Sequence, residues 1–222
     1  MFYITTQQTR FALAASCLLF TTACKDFNAQ AKNDAKINQG AQLYQERKFA
    51  EAVVLLESAV DQPSSTAPTL LYSIIGNCYN QLEEYDKAIG YHNRALTADP
   101  KNHQAYVNRG VTYRLMGEYD KAEASYNKAL ELNPNYPELH ASLGSLAIHR
   151  GKHAQGVEHL ERAIALQADL PVAHANLAVA YAGIGRFTDA DQELQTAITQ
   201  GYHNPTAIQT MIDQLKEAAG EK

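Results

Sequence analysis

The chain is short of basic charge. Its 222 residues carry 19 Lys and Arg against 24 Asp and Glu, a formal net charge of −5. Nucleic-acid binding needs clustered Lys and Arg, so this balance argues against it. The chain also lacks a hydrophobic run long enough to cross a bilayer. The apolar stretch from Phe11 to Phe20 falls short of the ~20 residues a spanning helix needs. With a single charge before it, Arg10, that stretch has the shape of a secretory signal over residues 1–23. No glycine-rich phosphate loop occurs, and no serine sits on a nucleophile elbow. Cysteines number three: Cys17, Cys24 and Cys78.

What the chain does have is a period. Between Thr69 and Gln200 one pattern recurs four times at a step of 34 residues. Two clear copies are AYVNRGVTYRLMGEYDKAEASYNKALELNP, from Ala105, and AHANLAVAYAGIGRFTDADQELQTAI, from Ala173. Gly76, Gly110, Gly144 and Ala178 share one position of the repeat, and Ala95, Ala129, Ala163 and Ala197 another. A fixed step of this length marks a repeat solenoid. Such arrays present extended surfaces that hold other proteins.

The residue types have packing reasons. Gly and Ala let antiparallel helices approach closely, while aromatic and Leu positions fill the space between them. Pro100 and Pro134 push Asp99 and Asn133 out of the helical region, so the preceding helices stop there. Asp86, Asp120 and Asp189 fall in first helical turns, where negative charge favours the dipole. The expected helix pairs are 36–47 with 49–61, 69–82 with 85–98, 103–116 with 119–132, 137–150 with 153–166, and 171–184 with 187–200. A last helix over 205–219 carries Ile208, Met211, Ile212 and Leu215 on one face and reads as a cap. The step from the first pair to the second is 36, lengthened by the insertion QPSSTAP from Gln62 to Pro68. One continuous domain is expected over 36–219.

These residues resemble the tetratricopeptide repeat. The first-helix pattern stands as Tyr72, Ile75-Gly76, Tyr79; Tyr106, Arg109-Gly110, Tyr113; His140, Leu143-Gly144, Ala147; and His174, Leu177-Ala178, Tyr181. The second-helix pattern runs from Tyr85, Ala88, His92, Ala95 to Phe187, Ala190, Leu194, Ala197. A weaker first copy fits Gly40, Leu43, Phe49, Ala52, Leu56 and Ala59. The resemblance implies an all-α, right-handed α-solenoid of about five helix pairs plus the cap.

The front of the chain resembles a bacterial lipoprotein box. Thr21-Thr22-Ala23 leads into Cys24 just past the apolar run, with Thr where Leu is usual. Cys17 is a weaker alternative, because Leu18-Leu19-Phe20 would remain after it. The resemblance implies cleavage before Cys24 and its lipidation, with residues 24–35 as a flexible tether. Loss of residues 1–23 removes Arg10 alone among the charges and takes the net charge to −6. The mature chain then keeps only Cys78 as a thiol and can close no internal disulfide. Lys25, rather than Asp, follows Cys24, which implies the outer membrane facing the periplasm. Secretion without an anchor and inner-membrane anchoring are the alternatives. Twelve tether residues would reach at most ~40 Å.

Candidate chemistry is sparse. His149 and His153 have a ligand-like spacing, but Gly151 interrupts the helix between them. His140, His153 and His174 occupy bulky slots of the repeat. Neither a metal, a cofactor nor catalysis is expected. Cys78 reads as a small buried hydrophobe.

In tetratricopeptide arrays the second, fifth, ninth and twelfth residues of each first helix face the concave groove. Here those are Leu70, Ser73, Asn77 and Asn80, then Gln104, Val107, Val111 and Arg114. Glu138, Ala141, Ser145 and Ile148 follow, then Val172, Ala175, Val179 and Ala182. Val107, Val111 and Val179 read equally well as packing between neighbouring first helices. The resemblance implies a lipid-anchored adaptor that holds a protein segment, similar to the tetratricopeptide pilotins of type IV pilus secretins. Adaptors of cell-wall hydrolases or proteases fit as well. A His-based enzyme and a self-assembling structural protein are more distant alternatives.

Overall fold

The computed structural model describes residues 28–220. Among them are eleven helices and no strand, so the fold class is all-α. Helix α1 covers 28–45. It is followed by α2 (Phe49–Glu57), α3 (Pro68–Gln81), α4 (Tyr85–Ala98), α5 (His103–Leu115) and α6 (Tyr119–Leu132). Then come α7 (Pro137–His149), α8 (His153–Leu166), α9 (Pro171–Gly183), α10 (Phe187–Thr199) and α11 (Pro205–Ala219). The described residues gather into two compact units, one ending at Glu84 and one beginning at Tyr85; one continuous domain over 36–219 is expected.

The first unit departs most from expectation. Residues 28–35 are helical instead of forming a tether. Their polar composition hides two tertiary contacts. Asn33 is buried, and its Nδ2 donates to the carbonyls of Ala59 and Gln62 at 3.1 and 3.4 Å. The Asp34 carboxylate accepts from Ser64 Oγ at 2.6 Å, Ser65 Oγ at 2.8 Å and the Ser65 amide at 2.9 Å. These bonds, the Ser64 hydroxyl first, hold the Asp34 pKa below its ordinary value. The QPSSTAP insertion is therefore clipped to α1. Helix α2 ends at Glu57, before the expected residue 61. Ser58 Oγ donates back to the Leu55 carbonyl at 2.7 Å, and Ala59 bonds to Leu56 in the tighter i to i+3 pattern. Asp61 then takes a positive φ of 61°.

In the second unit the helices pack as hairpins: α5 on α6, α7 on α8, α9 on α10. First helices also touch along the array, α5 with α7 and α7 with α9, and α11 packs on α9 and α10. Asp86, Asp120 and Asp189 lie in first turns, as their positions imply. Helix α4 ends at Ala98 and α6 at Leu132, in front of the two Asx-Pro breaks. Helix α5 starts on Asn102, whose side chain accepts from the Ala105 amide at 2.9 Å. Helix α11 ends on Gly220 at φ 77°, a left-handed cap.

The repeat's small positions are filled by side chains of the next helix. A Cβ on Gly110 would strike the Tyr126 ring, and one on Gly144 would lie 2.5 Å from Leu160 Cγ. In the first unit a Cβ on Gly40 would lie 2.5 Å from Leu56. Tyr126, Leu160 and Leu56 are fully buried. Each such burial contributes about 1.5–3 kcal/mol, but only while the glycine stays bare. His92 holds the same slot in its repeat. It is fully buried, and neither ring nitrogen has a partner. Burial, helped by the charge of Arg109, pushes its pKa down to about 4 from 6.5.

The first prediction, a pair of contrasting substitutions, concerns packing. Gly110→Leu overpacks the α5–α6 crossing and should cost about 1–3 kcal/mol in thermal or urea unfolding. Gly90→Ala, a helical position with nothing near its absent Cβ, should instead stabilise by about 0.5–1 kcal/mol. The second prediction concerns acid. Between about pH 6.5 and 4 the unfolded chain protonates His92 and the folded chain does not. Stability should thus be full above pH 6.5 and fall as pH drops through that window, by about 3 kcal/mol in all. His92→Leu should flatten this part of the stability–pH curve; an unchanged slope would assign the acid sensitivity elsewhere.

Candidate partner-binding surface

The expected groove residues fall into three kinds. In the first unit Leu70 is exposed, Ser73 and Asn77 are half-buried, and Asn80 is buried with its Oδ1 unpartnered. In the second unit Gln104 and Val172 are exposed, and Val111, Arg114, Glu138 and Ile148 are half-buried. Val107, Ala141, Ser145, Ala175, Val179 and Ala182 are buried. Val107 belongs to a core cluster with Tyr126, Leu139 and Leu143, and Val179 to one with Ala141, Ala175 and Ile212. Backbone spacing along a helix sets direction, but neighbouring first helices decide how much of each side chain remains open.

The second unit brings some of these residues together. Ile148 and Val179 line an open pocket of about 280 Å³ with His149, His153, Met211, Gln214 and Leu215. Four helices contribute. The end of α7 supplies Ile148 and His149, the start of α8 His153, α9 Val179, and α11 the rest. The positive φ of Gly151 makes the turn that sets α7 and α8 side by side. The His153 ring lies where a side chain on Gly183 would have to be, so that glycine seats it. Sequence periodicity pointed to Ile148 and Val179 but missed the wall from α11, because the cap lies beyond the last repeat. Its apolar face gave a signal: Ile208 and Ile212 are buried, while Met211 remains 42% exposed.

Polar groups sit at one edge. His149 Nδ1 lies 2.8 Å from the Ser145 carbonyl, an acceptor, so Nδ1 carries the proton and donates. Its Nε2 lone pair faces Arg114 Nη1 at 3.5 Å. The Tyr119 ring lies 6.1 Å from that of His149. Arg114 Nε is shielded from solvent without a partner.

Three other histidines, His140, His159 and His174, have packing accounts. His140 Nε2 is 2.9 Å from the Pro134 carbonyl, and His174 Nε2 is 3.0 Å from Ala168, its counterpart one repeat on. His174 Nδ1 also meets Glu193 at 2.6 Å. At the position of Glu193, one repeat earlier, stands His159, 5.8 Å from His140. Burial, then the neighbouring His140, lowers the His159 pKa. Among the described residues no three His, Cys, Asp or Glu cluster as metal ligands. Cys78 is buried, and burial raises its pKa to about 11, leaving a neutral thiol. Cys24, Lys25 and the apolar run lie outside the described residues; among those described, no helix is long and apolar enough to cross a membrane.

Comparison with known proteins points the same way. Tetratricopeptide repeat models match residues 70–102 and 103–136, and a second such model matches 125–158. The rhomboid protease GluP of Bacillus subtilis is 33% identical over 82 residues, 37% of this chain. Subunit 3 of the anaphase-promoting complex of Dictyostelium discoideum is 38% identical over 80 residues, 35% of this chain. The match spans only 16% and 8% of the lengths of these two relatives. Among solved structures, a thermophilic tetratricopeptide repeat protein of Thermus thermophilus superposes with a TM-score of 0.69 at 20% identity, over 82% of this chain and 98% of that one. PilF of Pseudomonas aeruginosa gives 0.66 at 19%, covering 87% of each. MamA of Desulfovibrio magneticus gives 0.58 at 14%, over 78% and 96%. At such identities these likenesses speak of fold. Together with the matched stretches and the helix pairs, they establish tetratricopeptide repeats over residues 70–158 and an all-helical repeat fold.

Proposed function

We propose that this protein is a non-catalytic, lipid-anchored adaptor that holds a segment of another envelope protein on its repeat surface. The observation that carries the reading is the open apolar pocket where Ile148 and Val179, both at groove positions of the repeat, meet the cap helix. A repeat stack supplies shape and a pocket supplies grip; nothing in that combination requires chemistry. The histidines are engaged in packing and backbone contacts, which supports the same reading.

The anchor is Cys24, acylated after cleavage behind residue 23, and Lys25 favours the periplasmic face of the outer membrane. More than one acyl chain gives stable anchoring where one does not. With α1 under way by residue 28, the link from Cys24 is no longer than residues 24–27, about 14 Å when extended. The repeats then work close to the bilayer. Envelope-complex assembly, such as secretin or pilus biogenesis, is the process this arrangement suits. The fold shared with PilF is consistent with it.

Cys24→Ser should abolish incorporation of labelled palmitate and release the protein from membranes; persistent labelling would sink the anchor. Lys25→Asp should shift the protein from outer- to inner-membrane fractions on a sucrose gradient. Photocrosslinkers at Arg114 and Ile148, both in the second unit, should capture one envelope protein in cells, and one at Lys128, exposed on α6, should not. Equal capture from all three positions would count against a groove.

A further inference from the structure

We propose that the pocket at the end of α7 takes one bulky apolar side chain of a partner segment, and that a carboxylate on the same segment lies on Arg114. The inference rests on the adaptor reading and names the chemistry of what the adaptor holds.

The apolar half comes from the walls. Ile148, Val179, Met211 and Leu215 enclose about 280 Å³ open to solvent. A cap helix needs apolar residues only toward the core it closes, and Ile208 and Ile212 perform that task. Met211 does not, since it stands 42% exposed over the pocket. A flexible thioether at the mouth of an apolar hollow adapts to side chains of different shape.

The charged half comes from what Arg114 lacks. Arg150 pairs with Asp120 and Glu123, and Arg186 with Asp189. Arg114 makes no ion pair with any carboxylate among the described residues. It faces the lone pair of His149, 3.5 Å away, at the pocket and the Tyr126 hydroxyl on the core side, both neutral, and its Nε has no partner. A half-buried guanidinium without a counter-charge is an incomplete arrangement. The pocket itself brings no acid, since its lining carries histidines and a glutamine as its only polar side chains. In a chain of net charge −5 this edge is locally cationic. A carboxylate within one side chain's reach of the pocket completes it, in the charge-assisted geometry that guanidinium favours. His149, held by the Ser145 carbonyl, both lines the pocket and faces Arg114, so it fixes the spacing between the two halves.

The test uses the full-length protein labelled at its methionine methyls; the chain has three. The probe is the peptide acetyl-Gly-Glu-Ala-Leu-Phe-Gly-amide, compared with a Gln-for-Glu version and an Ala-Ala-for-Leu-Phe version. The Met211 methyl resonance should move saturably with the first peptide, at least tenfold more weakly with the second, and not with the third. Arg114→Gln should erase the difference between the first two and keep the Met211 response. Equal binding of the Glu and Gln peptides, or a tenfold preference that survives Arg114→Gln, overturns the charged half. Movement of Met116 instead of Met211 overturns the site. Dimerisation in sedimentation that displaces the peptide would give the pocket to a second copy and also overturn the proposal. Cellular crosslinking of an envelope protein that is indifferent to Arg114→Gln and Met211→Gln would leave the adaptor reading intact and reject this pocket alone.

Discussion

The close crossing of paired helices is the constraint on which the rest depends. At Gly40, Gly110 and Gly144 the backbone is approached so closely that the facing Leu56, Tyr126 or Leu160 occupies the space of a side chain. That contact fully buries Leu56, Tyr126 and Leu160. It also fixes the angle between the helices, and with it the direction in which the first helix presents its remaining residues. The histidine seat at Gly183 works on the same principle and places His153 at the pocket. Small residues thus control geometry here more than large ones do.

Much of this was legible in the sequence, because a repeat announces its helices many times over. From α3 to α11 the helix limits agree with the expected ones to within a residue or two, since Pro, Asx-Pro and glycine breaks mark nearly every end. Residues 28–35 were misread for a physical reason. Asn, Gln, Ala and Lys carry no apolar stripe, and the helix there is secured by the long-range bonds of Asn33 and Asp34. The insertion QPSSTAP was visible only as a change of step; that its serines clip Asp34 required the fold. The surface was half legible. The position rule marked Ile148 and Val179, yet Val179 lies 3% exposed beneath the pocket floor, and Met211 and Leu215 come from outside the period.

Repetition also shows where the chain is free to vary. His140 and His174 make the same carbonyl contact one step apart, but the first faces His159 and the second Glu193. A buried position tolerates either partner as long as the ring keeps its backbone bond. The slot held by His92, Tyr126, Leu160 and Leu194 is looser still in chemistry, though each occupant is buried. Polar pairing is therefore a property of individual repeats, while shape belongs to the array.

Helix α11 serves two purposes at once: it seals the core through Ile208 and Ile212 and forms one wall of the pocket through Met211 and Leu215. Helix α11 packs on α9 and α10, and a helix held along one side is among the first to open locally. Whatever fills the pocket holds α11 down, and whatever loosens α11 empties the pocket. Occupancy and local unfolding are then linked by mass action, so a bound segment protects the C-terminal end from proteases in proportion to its concentration. On the adaptor reading proposed above, the lifetime of the chain reports whether the pocket is filled.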